Sequence, residues 1–279
     1  MSLDHHLGLT DVDHVVLTRF NVRMDTYEHP PTGWLDGRID LFEQYCLPSV
    51  RAQTTQGFTW LLFFDSETPT ESLARMRALA EDGLFDVVLV EGQFTRARAA
   101  EHVQSRARAP FLITTRVDND DAVATDFIQT VQAQFGRQDL EFVNLVDGAQ
   151  LWEGRTYLRP YTKNPFVSLV ERRTDRPPHT VFISRHFAVD ETGPVLNVRT
   201  RHPMWLQVVH GGNVLNEIVG LRSRGSAVTP WFGCHLETTD AGLHRDRLRG
   251  GIRIVVRLVS QPHRIVELLR ARLAKRARS

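Results

Sequence analysis

Phe111-Leu112-Ile113-Thr114-Thr115-Arg116-Val117-Asp118-Asn119-Asp120-Asp121 carries a short apolar run directly into three carboxylates. The run is too short for a helix and is bounded upstream by Pro110, which suits a buried strand. Working outward, His14-Val15-Val16-Leu17-Thr18 is a second such run. Phe58-Thr59-Trp60-Leu61-Leu62-Phe63-Phe64 is a third, apolar on both faces, and Val87-Val88-Leu89-Val90 is a fourth. Strands that are apolar on both faces belong to sheets covered on both sides, which are mostly parallel.

Helical signals fall between these runs. Leu35, Ile39, Phe42, Tyr45 or Cys46 and Val50 recur at helical spacing, with Pro48 inside the pattern marking a kink or break. Thr70-Glu71-Ser72 opens a helix that runs through Leu79 and closes near Gly83. An Ala- and Arg-rich segment, Arg96 to Arg108, and the segment Phe127 to Phe135 read as two more. Strand alternating with helix predicts an α/β domain with a mostly parallel central sheet flanked by helices.

Beyond residue 135 the order is harder to read. Phe142-Val143-Asn144-Leu145-Val146 and Val181-Phe182-Ile183-Ser184 read as strands, and Met204 to Val209 is a short apolar run. Val214 to Leu221 reads as a helix. Gly148 to Pro165 mixes Trp152, Tyr157 and Tyr161 with Gly and Pro and reads as a long functional loop.

The chain has 279 residues, 42% hydrophobic and 24% charged, so it is globular and large enough for a full core. A net charge of +1 argues against a nucleic-acid binder acting through bulk electrostatics. Two cysteines, Cys46 and Cys234, make no disulfide framework and no zinc-ligand spacing. No apolar run reaches the roughly 18 residues of a membrane span, and Met1 to Asp13 lacks the order of a signal peptide. A cytoplasmic protein is expected, with peripheral contact at the inner face of the membrane. That contact rests on residues 245–279, which hold eleven Lys/Arg against Asp246 and Glu267, with Ile and Leu interleaved. Such a stretch suits a helix pair on an anionic membrane surface, or an amphipathic helix packed on the domain or on a second copy in a homodimer.

The carboxylates carry the chemistry. Ligands of open parallel sheets bind beyond the carboxyl ends of the strands. Asp118, Asp120 and Asp121 stand at such an end, where a hard cation, Mn²⁺ or Mg²⁺, would relieve their repulsion. The same residues would also serve as a cap for the next helix.

The neighbouring segments favour the first reading. Thr18-Arg19-Phe20-Asn21, then Leu47-Pro48-Ser49-Val50-Arg51-Ala52-Gln53, the strand ending in Asp65, and Arg116 to Asp121 follow in order. Together, over residues 12–135, they resemble the nucleotide-sugar half of the inverting GT-A glycosyltransferases. Two positions depart from that pattern: Asp65-Ser66-Glu67-Thr68 replaces Asp-Asp-Gly-Ser, and Leu17 stands where a Pro is usual. With Trp34 to Arg38, Phe63-Phe64-Asp65 and Trp205 to Asn213, the chain up to about Glu237 is similar to the bacterial rhamnosyltransferase family.

The resemblance implies a GT-A-like domain over 1–244, with a nucleotide-sugar half (12–135) and an acceptor half (136–244), followed by a basic helical extension (245–279). It implies metal-dependent, inverting transfer of a sugar, rhamnose by the family's name. The donor would be a nucleotide-diphosphate sugar and the acceptor a hydroxyl of a glycan or of a lipid-linked acceptor. Thr18, Arg19, Asn21, Asp65, Arg116 and Asp118 would bind the donor. Asp120 would hold the metal with His210, and Asp121, counted with the catalytic residues, would support either Asp120 or the donor sugar. Glu171 is the first choice for the base, with Asp190 and Glu217 behind it. Trp205 stands either in the acceptor region or in the core. Two other functions compete: a sugar nucleotidyltransferase, disfavoured because Arg19 to Arg23 has no Gly, and a non-catalytic glycan- or nucleotide-binding domain.

Overall fold

The computed structural model describes residues 11–24, 33–210 and 218–248. The first strand, β1 (Val12–Arg19), is followed by helix α1 (Trp34–Leu41), a π-helical turn (Phe42–Cys46) and α2 (Leu47–Arg51). The break expected at Pro48 takes this form. Proline has no N–H to donate, and the ladder is relaxed just ahead of it, where the Leu47 N–H reaches back to the Phe42 carbonyl. Next come β2 (Thr59–Asp65), α3 (Thr70–Leu79), β3 (Asp86–Val90), α4 (Arg96–Gln104), β4 (Phe111–Arg116), β5 (Ala122–Val123) and α5 (Phe127–Gln132). The acidic segment therefore caps no helix: β5 lies between it and α5.

The second half contributes β6 (Glu141–Leu145), β7 (Asp147–Trp152), β8 (Arg155–Pro160), β9 (Ser168–Arg172), β10 (Val195–Val198), β11 (Trp205–Val208) and β12 (Leu221–Ser223). A seven-stranded sheet has the order β10-β6-β9-β4-β1-β2-β3, and a five-stranded sheet the order β12-β8-β7-β11-β5. In the larger sheet only β9 runs against its neighbours, β4 and β6. This sheet draws strands from both sides of residue 135.

Both faces of the larger sheet are covered, as the double-sided apolar runs require. Val16, Trp60, Leu62 and Phe64 pack on one face with Phe20, Phe42 and Phe85, while Val15, Leu17, Leu61 and Phe63 pack on the other with Phe94 and Val103. Trp60 and Phe42 are fully buried, and truncating rings of this kind costs about 3–5 kcal/mol.

Three sequence expectations are corrected. The stretch from Gly148 to Pro165 is not a loop over most of its length. It forms the hairpin β7–β8, paired from Asp147↔Pro160 to Trp152↔Arg155. Its two-residue turn, Glu153-Gly154, has φ of 48° and 70°, the twist that tight hairpins prefer. Val181–Ile183 is a 3-10 turn rather than a strand, because Thr180 at φ 59° turns the chain and its hydroxyl accepts from the Phe182 N–H. Residues 211–217, which include Glu217 and the first half of the helix expected over Val214 to Leu221, lie outside the described residues, as do residues 249–279 of the basic extension; residues 218–220 are not helical and Leu221 begins β12, so the second half of that helix is corrected.

Trp205 belongs to the core that joins the sheets. Its ring stacks on Phe166 at 5.2 Å, and its indole N–H donates to the Leu145 carbonyl at 2.9 Å. Gly148 is what lets β7 approach: a Cβ there would lie 2.1 Å from the indole.

Candidate active site

Strand order reverses at β1: the chain moves outward to β2 and β3, then returns to place β4 on the other side of β1. The crevice at such a switch point, beyond the carboxyl ends of the strands, is where α/β sheets bind ligands. Arg19 ends β1 and Arg116 ends β4, so Arg19–Asn21 and Arg116–Asp121 both emerge there.

The segment after β4 is fixed by its own contacts. The Asn119 amide donates to the Arg19 carbonyl at 3.3 Å, and the Val117 N–H to the Leu17 carbonyl at 3.2 Å. The three aspartates then take three different partners. Arg116 grips Asp118 through Nε (3.0 Å) and Nη2 (2.9 and 2.7 Å). Asp120 pairs through Oδ2 with Arg38 of α1, and the same oxygen lies 3.0 Å from His210 Nε2. Asp121 accepts from the Val208 N–H of β11 at 2.8 Å. Strand β11 thus brings both the Asp121 contact and His210 to the acidic segment.

The charges respond to these surroundings. Burial acts to raise the Asp118 carboxyl, but Arg116, Arg19 and His186 outweigh it and hold the group below its usual value. Asp121 goes the other way: burial, then the neighbouring Asp120 and Asp118, push it well above the usual carboxylate range. His186 lies within electrostatic reach of the same cluster. Burial and the positive charge of Arg116 bring its imidazole down to about 4, against the pull of Asp118. The ring is therefore neutral at physiological pH.

At the end of β2, Asp65 is held by Arg23, whose Nε lies 2.6 Å from Oδ2, and accepts from the Glu67 N–H at 2.8 Å. The Asn21 side chain ties this turn to β1: its Oδ1 accepts from the Asp65 N–H at 3.3 Å, and its Nδ2 donates to the Thr68 hydroxyl at 3.0 Å. The Arg19 guanidinium lies over the Phe182 ring at 5.2 Å, at the edge of the crevice.

Three expected site residues do not serve as expected. Thr18 is fully buried; its hydroxyl donates to the Val117 carbonyl and accepts from the Trp60 indole, both at 2.9 Å, so it stitches β1 to its neighbours rather than lining a pocket. Glu171 is also buried, and its two oxygens accept from the N–H groups of His179 and Thr180, at 2.8 and 2.9 Å. It lies opposite Leu112, near the start of β4 and away from the crevice. Asp190 is half exposed and paired with Lys163. Glu171 is therefore not placed to take a proton from a substrate in the crevice.

The residues present were tested against the expected Mn²⁺ or Mg²⁺. The 3.0 Å between His210 Nε2 and Asp120 Oδ2 would suit two ligands of one ion. Arg38 already pairs with that same oxygen, so an ion binding there would have to displace its guanidinium. Among the described residues, no three His, Cys, Asp or Glu come together as a metal set. The expected site of Asp120 and His210 does not fit a divalent cation as it stands.

Arg38, Arg23, Thr68 and His186 are the site residues that sequence reasoning passed over. Arg38, Thr68 and Arg23 stood inside segments quoted for other reasons, Trp34 to Arg38, Asp65 to Thr68 and Arg19 to Arg23, whereas His186 had no signal.

No curated protein matches the chain. Among solved structures, S. aureus TarS 1–349 matches at 12% identity and TM-score 0.43, covering 70% of this chain and 60% of that one. The same fragment in complex with UDP-GlcNAc matches at 11% identity and TM-score 0.43, covering 72% and 60%. HddC from Yersinia pseudotuberculosis matches at 12% identity and TM-score 0.34, covering 68% and 90%. The chain spans about 60% of the length of the TarS fragment. A family model described as "Putative rhamnosyl transferase" matches residues 23–222, most of the chain, and the protein belongs to that family.

Proposed function

We propose that this protein transfers a sugar from a nucleotide-diphosphate sugar to a hydroxyl of a glycan or lipid-linked glycan. The observation that carries the reading is the meeting of Arg19, Arg38 and Arg116 with Asp118 and Asp120 at the switch point of the sheet, in a chain of the rhamnosyl transferase family. Guanidinium groups bind phosphate oxygens in pairs and stabilise the charge that builds on a leaving diphosphate. Asp65, with Asn21 and Thr68 beside it, would receive the nucleoside. Arg19 and Arg116 would receive the diphosphate, and Asp118 and Asp121 the donor sugar. Rhamnose is the sugar that the family's description names.

His210 is the residue proposed to take the acceptor proton. Its Nε2 faces the Asp120 carboxylate, an arrangement that orients an imidazole. Attack by the acceptor hydroxyl on the face opposite the diphosphate would invert the anomeric centre. The base takes the hydroxyl proton and the nucleoside diphosphate leaves with the bonding pair. No step is assigned to a metal.

Residues 245–279 are proposed to hold the chain on an anionic membrane surface, where a lipid-linked acceptor would lie; a packing surface for a second copy is the competing use. Among the described residues no helix is long and apolar enough to cross a membrane.

A thermal-shift screen of UDP-, GDP- and dTDP-sugars tests the function. A donor sugar at about 100 times its dissociation constant stabilises the fold by about 2.7 kcal/mol. If no nucleotide sugar raises the melting temperature, the reading fails.

A further inference from the structure

The misfit at Asp120 is specific about what replaces the metal. Arg38 Nη1 contacts Asp120 Oδ2 and lies 3.4 Å from Asn119 Oδ1, so one nitrogen of the guanidinium meets two neighbouring residues of the acidic segment. The side chain is 14% exposed, and its planar face lies over the Trp34 ring, 5.1 Å from the centroid. Trp34 and Arg38 stand four apart on α1, on one face of the helix, so the ring supports the guanidinium from the same element.

A divalent ion in a sugar-transfer site joins a carboxylate to the diphosphate. A guanidinium can make the same bridge. It has five N–H donors in a fixed plane, so one edge can hold the carboxylate while another meets a phosphate oxygen. Its charge does not titrate away. The geometry also works against simple displacement: a metal entering at Asp120 Oδ2 would have to break the ion pair and lift Arg38 off Trp34.

We propose that Arg38 is the cation of this site, bridging Asp120 to the donor diphosphate, so that a nucleoside diphosphate binds without a divalent metal. This rests on the nucleotide-sugar reading and goes beyond it.

Isothermal titration of UDP, GDP and dTDP into the full chain tests it, each in EDTA and in excess Mn²⁺, for the wild type, Arg38→Ala and Arg38→Lys. The nucleotide that binds the wild type is expected to bind within about two-fold with and without metal. Arg38→Ala is expected to lose at least about ten-fold in EDTA, a change of about 1.4 kcal/mol, with part of the loss recovered in Mn²⁺ as the ion enters the freed carboxylate. Arg38→Lys keeps the charge but not the fork and should fall between. Mn²⁺ titration followed by electron paramagnetic resonance, without nucleotide, should show uptake by Arg38→Ala and none by the wild type. This second readout on the wild type stands even if the alanine variant does not fold. Wild-type binding that appears only with Mn²⁺, or Arg38→Ala binding unchanged in EDTA, overturns the proposal while leaving the nucleotide reading intact. Failure of all three nucleotides in both conditions removes the nucleotide reading, and this inference with it.

Discussion

Glu171 lies opposite Leu112 in the antiparallel β9–β4 register, four residues before β4 ends at Arg116. Four strand residues are about 13 Å, so this carboxylate stands at the far end of the strand from the crevice. Its two oxygens hold the His179 and Thr180 N–H groups where Thr180 turns at positive φ. Glu171→Ala should orphan both donors and cost about 2–4 kcal/mol, seen as a melting temperature lower by roughly 5–15 °C. Nucleotide affinity of the folded fraction should be unchanged. A loss of turnover with no loss of stability would return Glu171 to the catalytic machinery.

Gly148 and Trp205 give a coupled prediction. Gly148→Ala drives a methyl into an indole that is pinned by the Leu145 carbonyl and by Phe166, so it should cost about 2–3 kcal/mol. In a Trp205→Leu background, itself destabilised, the same substitution should cost much less. Denaturant unfolding of the four proteins measures the coupling; equal costs in both backgrounds would show that β7 yields instead of the ring.

β1, β2 and β4 were legible because burial on both faces leaves an uninterrupted apolar run, as in 61–64 and 111–113; the edge strand β3 was legible from its short aliphatic run although Leu89 is exposed. The hairpin β7–β8 was not. Its buried strand positions include Gln150 and Thr156, whose polar atoms find partners far along the chain, among them Gln207, Val219 and Gly220 for Gln150 and Ser223 for Thr156. The acidic segment announced a site, but its wiring did not. That Asp118 pairs with Arg116 two residues away is a local fact, whereas the approach of Arg38 and His210 to Asp120 depends on where α1 and β11 pack. Glu171 shows the converse: an acid after an aromatic-rich stretch resembles a base until strand register places it at the wrong end of the sheet.

His14 predicts an acid limit to stability. It is buried on β1, its Nε2 lies 2.7 Å from the Thr115 hydroxyl, and burial brings its pKa down to about 3. The folded value lies below the unfolded one of about 6.5, so above that pH the imidazole is neutral in both states and nothing is lost. As pH falls from there towards 3, only the unfolded chain takes up the proton, and stability drops by up to ~1.4 kcal/mol per pH unit. His14→Gln should flatten the fall in melting temperature between pH 6.5 and 4.5. An unchanged slope would mean that other groups set the acid limit.

Arg116 predicts a split between charge and shape. Both Nε and Nη2 grip Asp118, which a single ammonium cannot reproduce. Arg116→Ala should weaken nucleotide-sugar binding by about 10- to 100-fold, the loss of one charge-assisted pair at a diphosphate site, and Arg116→Lys should recover little of it. Titration calorimetry with the donor found by the thermal-shift screen measures both. Full recovery with lysine would mean that only net charge is read at this position.

His210 carries the last prediction, because the proposed base should affect turnover and not donor binding. Water can stand in for the acceptor, so release of nucleoside diphosphate from the donor sugar reports the step. His210→Gln cannot accept and hand on a proton, and should lower kcat for this release by about 10²- to 10⁴-fold while donor affinity moves less than about two-fold. Asp120→Asn removes the negative charge facing Nε2 but keeps an acceptor oxygen, and should lower kcat by less than His210→Gln does. A His210→Gln enzyme that keeps its rate would leave the imidazole a role only in positioning Asp120.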